Sequence, residues 1–396
     1  MNHTLLRELL SQYDSYYLYD EAGIRAAISR LQAGFPGARF LYSVKCNPAG
    51  KVLDTIFSTG VGADAASLWE VEAALARGVS PDLIHYSAPG RPEADLRRAY
   101  GRCVMIADSP RDIAIIADEA ARRGQTAEIG VRINPDFTFT SDHGISGKFG
   151  MDEEVFLAAD LSHVRITGIH VHAKSQELNA DTLAGYYRNM FALVDRVQRH
   201  VGHSLTYANF GSGLGVPYLK EEHELDISAL GAQFQSLLEE FHSRYPQTQI
   251  CIETGRYLTC KQGVYVTKVL DKKVSRGKTY ILLNSTLNGF VRPAVAQMMR
   301  GLNATPCEPM FTHEDAFQFI PLTENTDTET ITLCGNLCTA ADTIAHNITL
   351  SRLEIGDGVA MTNAGSYAAV LSPMQFACLT PPAQLLLAAD GSVSAC

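Results

Sequence analysis

Residues 103–134, "CVMIADSPRDIAIIADEAARRGQTAEIGVRIN", place two apolar runs on either side of a helix-like stretch. The runs 103–107 and 128–134 have the length and the apolar or β-branched residues of buried strands. Between them, Ser109 is a typical helix cap and Pro110 suits the first helical position. Such a unit predicts two neighbouring parallel strands that are joined by one helix.

The same alternation extends over the first two thirds of the chain. Helix-like stretches at 67–78 and 226–245 separate further apolar runs. Eight strands are predicted in total, at 38–44, 61–66, 83–88, 103–107, 128–134, 165–173, 206–211 and 249–254. Eight parallel strands with intervening helices over about 220 residues predict an α/β fold, the (β/α)₈ or TIM barrel.

The alternation of strand-like and helix-like segments ends at about residue 260. Residues 263–284 predict two strands around a turn at Ser275–Lys278. Segments 330–338 and 356–365 continue with short β-type runs and turn residues. We therefore expect a second, mostly β domain at about 260–396. Because no low-complexity linker separates it from the barrel in the sequence, we expect the two domains to pack rigidly.

The composition of the 396-residue chain narrows its partners and its location. Hydrophobic residues make up 46%, which supplies a sizeable core, and the net charge of −10 disfavours nucleic acid and anionic membranes as partners. No apolar run approaches the roughly 18 residues of a membrane helix, and the start of the chain lacks the apolar stretch of a signal peptide. The nine cysteines show no zinc-type spacing, so we expect reduced thiols, no metal site and a cytoplasmic location.

Four polar features follow predicted barrel strands. Lys45 comes directly after the strand-like run "FLYSV", and His172 lies in "GIHVHAKSQ". The glycine-rich segment 209–215, "NFGSGLG", and the segment 253–257, "ETGRY", end the last two strands. Because the active site of such a barrel forms at the carboxyl ends of its strands, we expect all four features to face one cavity.

Each feature has an ordinary structural explanation when it stands alone, such as a solvated lysine, a buried histidine or a tight turn. Together they suggest a phosphate site. A glycine-rich turn at a helix start presents backbone N–H groups to an anion. We expect that turn at Gly211, Ser212 and Gly213, with Gly255 and Arg256 beside it.

The remaining groups suggest the cofactor. A lysine in a partly dry site has a lowered pKa and can form a Schiff base, which is the expectation for Lys45. A carboxylate such as Glu253 can pair with a pyridinium nitrogen, and an imidazole such as His172 can lie on an aromatic ring. A lysine, a phosphate cradle, a carboxylate and a stacking group together predict a pyridoxal 5'-phosphate site.

These motifs resemble those of the fold-type III pyridoxal phosphate decarboxylases, which include the diaminopimelate and ornithine/arginine decarboxylases. The resemblance covers nearly the whole chain. "YSVKCNP" is similar to the family's cofactor-lysine segment, which implies that Lys45 bonds the cofactor. "HVHAKSQ" implies that His172 stacks on the pyridine ring and that Ser175 helps to bind the phosphate. "NFGSGLG" resembles the triple-glycine phosphate loop with a serine in the middle place, and "ETGRY" makes Glu253 the pyridinium partner.

The resemblance also assigns residues to the β domain. "LNGFVRPA" (287–294) is similar to the segment with a substrate-carboxylate arginine, here Arg292. "LCTAAD" (337–342) is similar to the stretch with a catalytic cysteine that acts across a dimer interface, here Cys338, and "NAGSY" implies that Tyr367 reaches the phosphate. The family implies a homodimer with shared active sites.

The family also implies an architecture, an alanine racemase-like barrel with a decarboxylase-like β domain. It adds that the extreme N-terminal residues belong with that second domain. We therefore expect a cofactor-binding barrel at 25–260. Residues 1–24 and 261–396 would form the β domain, which carries interface and substrate residues.

Two positions depart from the family pattern. Thr339 follows Cys338, where members that handle diamines have an acidic residue for the distal ammonium. A hydroxyl group cannot neutralise that charge, and an unpaired buried charge costs several kcal/mol, although Asp342 lies nearby in the sequence. Lys174 stands where glycine is usual, and it is either a solvated lysine or an added cation at the pocket mouth.

With these two departures, the chain is similar to decarboxylases of natural-product pathways. Several substrates are compatible with this similarity. Because Lys174 suits a carboxylate-rich substrate, the leading expectation is a siderophore-pathway conjugate such as citryl-diaminopropionate. Glutamate bound to a carrier protein is an alternative, as are free diaminopimelate and ornithine. From other functional classes, an amino-acid racemase or a non-enzymatic cofactor carrier stays possible. The catalytic set would be Lys45, His172, Glu253 and Cys338, and the substrate set Lys174, Arg292, Thr339 and Asp342.

Overall fold

A computed structural model describes residues 2–302 and 313–396 of the chain. Its helices are α1 (His3–Leu9), α2 (Glu21–Gly34), α3 (Gly50–Phe57), α4 (Leu68–Leu75), α5 (Glu93–Ala99), α6 (Pro110–Arg122), α7 (Glu153–Ala158), α8 (Ala180–Val201), α9 (Ile227–His242), α10 (Arg256–Thr259) and α11 (Val291–Leu302). Its strands are β1 (Ser15–Asp20), β2 (Arg39–Ser43), β3 (Gly62–Ala65), β4 (Ile84–Tyr86), β5 (Val104–Ala107), β6 (Ala127–Asn134), β7 (Met151–Asp152), β8 (Val164–His170), β9 (Tyr207–Asn209), β10 (Gln249–Thr254), β11 (Gly263–Ser275), β12 (Lys278–Leu283), β13 (Phe319–Leu322), β14 (Thr328–Gly335), β15 (Thr343–Ser351), β16 (Gly358–Met361), β17 (Ala383–Leu387) and β18 (Val393–Ala395).

Eight parallel strands form a closed barrel. Their order is β5, β4, β3, β2, β10, β9, β8 and β6, and pairing between β5 and β6 closes the ring. Each of these strands falls on one of the eight apolar runs of the sequence, so the predicted (β/α)₈ barrel is confirmed. Helix α6 also begins as predicted, because the side chain of Ser109 accepts a hydrogen bond from the backbone N–H of Asp112.

The barrel interior is packed with side chains. Tyr207 on β9 is buried and crosses the interior toward Gly130 on β6 and Gly168 on β8. A Cβ atom added to Gly168 would overlap the Tyr207 ring. Glycine is therefore needed at this strand position because a large aromatic side chain occupies the space.

The outer helices attach to the barrel through aromatic side chains. On α8, Tyr187 lies 5.5 Å from Phe234 of α9 between ring centroids, and Phe191 lies 4.9 Å from Phe210, which follows β9. Phe35, at the end of α2, packs edge-on to Phe234 at 5.3 Å. Edge-to-face aromatic packing of this kind stabilises the contact beyond simple burial of area.

The second sheet combines both ends of the chain. Strand β1 pairs antiparallel with β11 and parallel with β17, and the sheet runs β15, β14, β12, β11, β1, β17 and β18. Strands β11 and β12 form the hairpin that the sequence predicted at 263–284. Residues 303–312 of the expected β domain lie outside the described residues, and the domain limits at 24 and 260 stay predictions.

The two sheets share one continuous apolar core. Tyr17 of β1 and Tyr265 of β11 lie 4.8 Å apart between ring centroids, and both belong to the same buried cluster as Phe35 and Phe234, which pack in the layer of outer helices around the barrel. None of the helices in the described part of the chain is long and apolar enough to cross a membrane.

We expect Gly168→Ala to destabilise the protein by about 1–3 kcal/mol, because the new methyl group has to displace the Tyr207 ring in a close-packed barrel. The matched control is Gly185→Ala on α8, where an added Cβ meets no atom within 4 Å. The control should stabilise the protein by about 0.5–1 kcal/mol, because glycine weakens a helix interior. Urea unfolding of both variants measures the difference, and equal midpoints would contradict this account of the barrel interior.

Candidate active site

A cavity of about 360 Å³ opens at the carboxyl ends of the barrel strands, a volume within the range of small-molecule sites. It is the place that the sequence predicted for the active site. Its lining comes from seven of the eight barrel strands or the loops after them, and also from the loop after β16. The lining residues are Ser43, Lys45, Asp64, Ala66, Ser87, Ala88, Pro89, Arg132, Phe149, His170, His172, Ser175, Gln176, Ser212, Leu214, Glu253, Gly255, Arg256 and Tyr367.

Lys45 lies in a 3₁₀ turn, Val44–Cys46, directly after β2. Its Nζ donates a hydrogen bond of 2.5 Å to Oδ2 of Asp64, and the hydroxyl of Ser43 donates to the same oxygen at 2.7 Å. Burial by itself lowers the pKa of Lys45, but nearby negative groups, Asp64 foremost, outweigh it and raise the pKa above its usual value. The lowered pKa that the sequence suggested is therefore wrong for the protein without its cofactor, because Asp64 stabilises the ammonium form.

Glu253 is the buried carboxylate of the site, with 2% of its surface exposed. Its Oε1 accepts a hydrogen bond of 2.9 Å from Nδ2 of Asn209 and lies 3.0 Å from Nε2 of His170, while Oε2 lies 3.6 Å from Nδ1 of His172. Burial alone would raise the pKa of Glu253, but the imidazoles of His170 and His172 and the Lys45 ammonium reverse this effect and hold the pKa well below its usual range. Glu253 is therefore ionised at neutral pH.

His172 and Ser175 lie beside the glycine-rich segment. The backbone N–H of Ser212 points to Nδ1 of His172 at 3.4 Å, and Oγ of Ser175 lies 3.4 Å from Nε2 of the same ring. All three residues line the cavity. The ring of His172 is thus held from both nitrogens, which fixes its orientation at the cavity wall.

The glycine-rich segment lies against residues that follow β8 and does not begin a helix. A Cβ atom on Gly211, whose φ is +66°, would overlap the carbonyl oxygen of Val171, and Gly213 has a φ of +148°. The expectation of a helix start at this turn is wrong, because the chain continues as a loop until helix α9 begins at Ile227. This backbone path follows from a contact with the loop after β8, in which the N–H of Glu177 donates a hydrogen bond to the carbonyl of Gly213 at 2.8 Å. The glycine-rich segment therefore runs beside that loop.

Arg256 supplies the cation on this side of the cavity. Gly255 precedes it, and Arg256 begins the short helix α10. The guanidinium group lies 4.8 Å from the ring centroid of Tyr367 and donates a hydrogen bond to the hydroxyl of Tyr218. Tyr367 is held in turn, because its N–H donates to the carbonyl of Cys46 at 3.0 Å, with a left-handed φ of +48°.

The donor set in the cavity fits pyridoxal 5'-phosphate. Ser175, Ser212, Gly255, Arg256 and Tyr367 provide hydroxyl groups, backbone N–H groups and a cation, which together suit a phosphate. The close backbone approach at Gly211 leaves no room for a side chain there. Elsewhere in the same cavity lie the amine of Lys45, the imidazole of His172 and the ionised Glu253, which suit the aldehyde, the ring face and the ring nitrogen of that cofactor.

The predicted substrate residues lie apart from this cavity. Arg292 is fully buried behind Tyr218, with its guanidinium 5.1 Å from that ring, and it donates to the carbonyl of Ser366 at 3.2 Å. Lys174 is exposed, and its Nζ lies 3.2 Å from Oε2 of Glu177. Neither residue lines the cavity.

The loop that carries Cys338 is also separate. Cys338 is exposed, Thr339 is half-buried, and neither lines the cavity of this chain. Asp342 is 2% exposed and accepts hydrogen bonds from the backbone N–H groups of Leu287 and Leu337, both at 2.9 Å. Its carboxylate therefore fixes the shape of the loop.

Sequence reasoning missed several residues of the cavity. Asp64 accepts the hydrogen bond of Lys45. Arg132 lies 3.7 Å from Asp108 and stacks on Phe149. Asn209 bonds Glu253 and also accepts a hydrogen bond of 2.9 Å from the N–H of Gly211. His170 is a further omission. These residues sit within barrel strands, near the carboxyl ends, so a search for polar residues inside the last positions of each predicted strand would have found them.

The chain matches the family described as "Pyridoxal-dependent decarboxylase, pyridoxal binding domain" over residues 21–260. The chain therefore belongs to the pyridoxal-dependent decarboxylases of fold type III, and its cofactor is pyridoxal 5'-phosphate. It is an amino-acid decarboxylase, so the racemase and the non-enzymatic carrier are set aside.

Two relatives and one solved structure illustrate the similarity. A Niallia circulans enzyme named L-glutamyl (BtrI acyl-carrier protein) decarboxylase is 30% identical, covering 94% of this chain and 88% of its own length. The diaminopimelate decarboxylase of Thermoplasma acidophilum is 31% identical, covering 94% and 87%. The crystal structure of diaminopimelate decarboxylase from M. jannaschii superposes with a TM-score of 0.85 at 21% identity, covering 98% and 90%, which shows the same fold.

We expect Asp64→Asn to lower the pKa of Lys45 in the cofactor-free protein by at least about one unit, because the variant removes the carboxylate that stabilises the ammonium. The proton then leaves at lower pH, so the amine becomes reactive at lower pH. The measurement is the pH dependence of Lys45 modification by an amine-directed reagent, followed by peptide mass spectrometry. Asp54→Asn is the control, since that carboxylate pairs with Arg77 near the surface. An unchanged midpoint in Asp64→Asn would show that Asp64 does not set the charge of Lys45.

Proposed function

We propose that this decarboxylase removes the α-carboxyl group of an amino acid whose far end carries an acyl link in place of a free ammonium, with glutamate bound to a carrier protein as the leading example. The observation that carries the proposal is the loop after Cys338. Thr339 stands where the diamine-handling members have an acidic residue, and Asp342, the one acidic residue of segment 336–342, is committed to backbone N–H groups. A free ammonium at this position would stay without a counter-charge, which costs several kcal/mol when it is buried.

The relatives support carrier-bound glutamate over a free diamino acid. The Niallia circulans enzyme is named for a glutamyl group on an acyl-carrier protein, and its similarity to this chain extends over both sheets. Glutamate joined through its side-chain carboxyl group has no distal ammonium, so it matches a loop without a free carboxylate.

The siderophore conjugate citryl-diaminopropionate is the second candidate. It also lacks a distal ammonium, and it was favoured by the cation of Lys174. That side chain is exposed but lies 3.2 Å from the carboxylate of Glu177, so its charge is partly neutralised. Because this ion pair weakens the reason for a carboxylate-rich substrate, carrier-bound glutamate takes first place.

We also propose that two chains share the active site. Cys338 is exposed and lies outside the cavity of its own chain, which leaves it available to complete the cavity of a second chain. In this arrangement Lys45 bonds the cofactor, and the partner subunit's Cys338 gives a proton to the Cα atom of the product. A homodimer is therefore part of the proposed function.

The other residues of the site have separate roles in the proposed reaction. When bound, the cofactor supplies an electron-withdrawing ring that stabilises negative charge at Cα after CO₂ leaves. Glu253 keeps its negative charge near the ring nitrogen, His172 offers its ring face, and Arg256 with Ser175 and Ser212 binds the phosphate. Arg292 is too deeply buried in a single chain to touch a substrate. Its proposed role in binding a carboxylate therefore requires a different packing around Arg292.

For the substrate, we expect kcat/KM for carrier-bound glutamate to exceed that for free diaminopimelate, ornithine or glutamate by at least about 100-fold, the discrimination that one unpaired buried charge supports. The value of kcat/KM is measured from steady-state CO₂ release for each of these substrates and for citryl-diaminopropionate. Thr339→Glu should raise the activity toward free diamino acids and lower it toward carrier-bound glutamate. Thr343→Glu, on the neighbouring strand β15, is the control for added charge. A clear preference of the unaltered enzyme for diaminopimelate would reject the proposal.

For the shared site, we expect Lys45→Ala and Cys338→Ala to be nearly inactive alone and to regain about a quarter of full activity when mixed. In a mixed dimer one of the two sites receives an intact Lys45 and an intact Cys338, and half of the dimers are mixed when subunits exchange freely. The measurement is CO₂ release before and after mixing, with sedimentation to establish the dimer. Mixing Lys45→Ala with itself is the control, and no recovery in a freely exchanging mixture would place both residues in the same chain's site.

A further inference from the structure

Three barrel strands supply a line of polar groups that ends on Glu253. His170, the last residue of β8, is 2% exposed, and its Nε2 lies 3.0 Å from Oε1 of Glu253 on β10. The other ring nitrogen, Nδ1, lies 3.0 Å from Oγ of Ser87, which follows β4. The distances place the imidazole ring between a hydroxyl group and a carboxylate inside the barrel.

The chemistry of these groups fixes where the protons sit. Glu253 is ionised and can only accept hydrogen bonds. A lone pair on Nε2 of His170 would face a negative oxygen at 3.0 Å and be repelled, so the proton belongs on Nε2. In a neutral ring Nδ1 is then an acceptor, and the hydroxyl of Ser87 donates to it. Ser87 therefore selects the tautomer of His170 that presents a proton to Glu253.

The two carboxylate oxygens of Glu253 have different partners. Oε1 receives the N–H of Asn209 at 2.9 Å and faces the Nε2 proton of His170. Oε2 lies 3.6 Å from Nδ1 of His172, which is longer than a hydrogen bond. Oε1 is thus committed to the protein, and Oε2 is the oxygen available to a proton on the ring nitrogen of the cofactor.

We propose that His170 and Ser87 are positioning residues for the cofactor: Ser87 sets the tautomer of His170, and His170 holds Glu253 ionised and oriented so that Oε2 faces the ring nitrogen. A neutral imidazole is suited to this task. It orients the carboxylate through a dipole, whereas an imidazolium would neutralise Glu253 and weaken its hold on the ring proton.

The surroundings of His170 agree with a neutral ring. Burial lowers the pKa of His170 below its usual value. The carboxylates of Glu253 on β10 and Asp64 on β3 act in the opposite direction, and the guanidinium of Arg132 on β6 acts with burial, so that the pKa stays lowered. The ring therefore carries no net charge near neutral pH.

The test compares His170→Gln, His170→Leu and Ser87→Ala with the full-length enzyme. Glutamine keeps an N–H donor near the place of Nε2, leucine removes it, and Ser87→Ala removes only the group that selects the tautomer. His346→Leu on the exposed face of β15 is the control for loss of a histidine. All variants are first compared by circular dichroism and thermal unfolding.

Two readouts avoid dependence on the unidentified substrate. Long-range ¹⁵N NMR of histidine-labelled protein reports the tautomer and charge of His170, with and without cofactor. Titration of the cofactor-free protein with pyridoxal 5'-phosphate, followed by absorbance, reports the dissociation constant. We expect a neutral His170 with its proton on Nε2 from about pH 6 to pH 8, and in Ser87→Ala a mixture of tautomers.

We expect His170→Leu to weaken cofactor binding about 10- to 100-fold, the size typical for losing a partner that orients a ligating group, with His170→Gln and His346→Leu within about threefold of the unaltered protein. An imidazolium at neutral pH, a proton on Nδ1, or equal losses in His170→Gln and His170→Leu would overturn the proposal. If His170→Leu does not fold, the tautomer in the unaltered protein and in Ser87→Ala still decides it.

Discussion

The need to keep a negative charge stable inside a closed barrel governs the arrangement of this protein. Glu253 is almost completely buried on β10, and a buried carboxylate is tolerated only when hydrogen bonds and opposite charges compensate it. The compensation comes from Asn209 at the end of β9, from His170 and His172 at the end of β8, and from Lys45 after β2. These residues meet only because eight parallel strands bring their carboxyl ends to one rim. The buried charge of Glu253 therefore connects groups from four strands.

The second sheet is part of the same construction. The amide side chain of Asn47, two residues after Lys45, donates to the carbonyl of Gly365 at 2.9 Å, and the N–H of Tyr367 returns to the carbonyl of Cys46 at 3.0 Å. The turn that carries the lysine is thus bound on both sides to the loop after β16. Together with the shared apolar core, these contacts hold Tyr367 in a fixed position relative to the barrel.

The cavity at the strand ends and the loop that carries Cys338 are separate parts of this chain. Glu253 and Arg256 are buried, and the residues that bond Lys45, Glu253 and Arg256, namely Asp64, Asn209 and Tyr218, belong to the same chain. Cys338 and Thr339 do not line that cavity, and the acidic residue of their loop, Asp342, accepts backbone hydrogen bonds that shape the loop.

The amino-acid sequence by itself determined the barrel, the strand ends and the class of enzyme, because buried parallel strands have a clear apolar signature and the cofactor motifs are contiguous. It placed Lys45, His172, Glu253 and Arg256 at the correct rim for the same reason. It marked Asp64, Asn209 and His170 only as polar residues near the carboxyl ends of predicted strands, because their contacts with Lys45 and Glu253 form only when the strands stand side by side. It also misjudged the charge of Lys45 and the turn after Gly213. Both depend on partners distant in sequence, namely Asp64 and the loop after β8, since a charge state or a backbone path is set by what lies next to it in space.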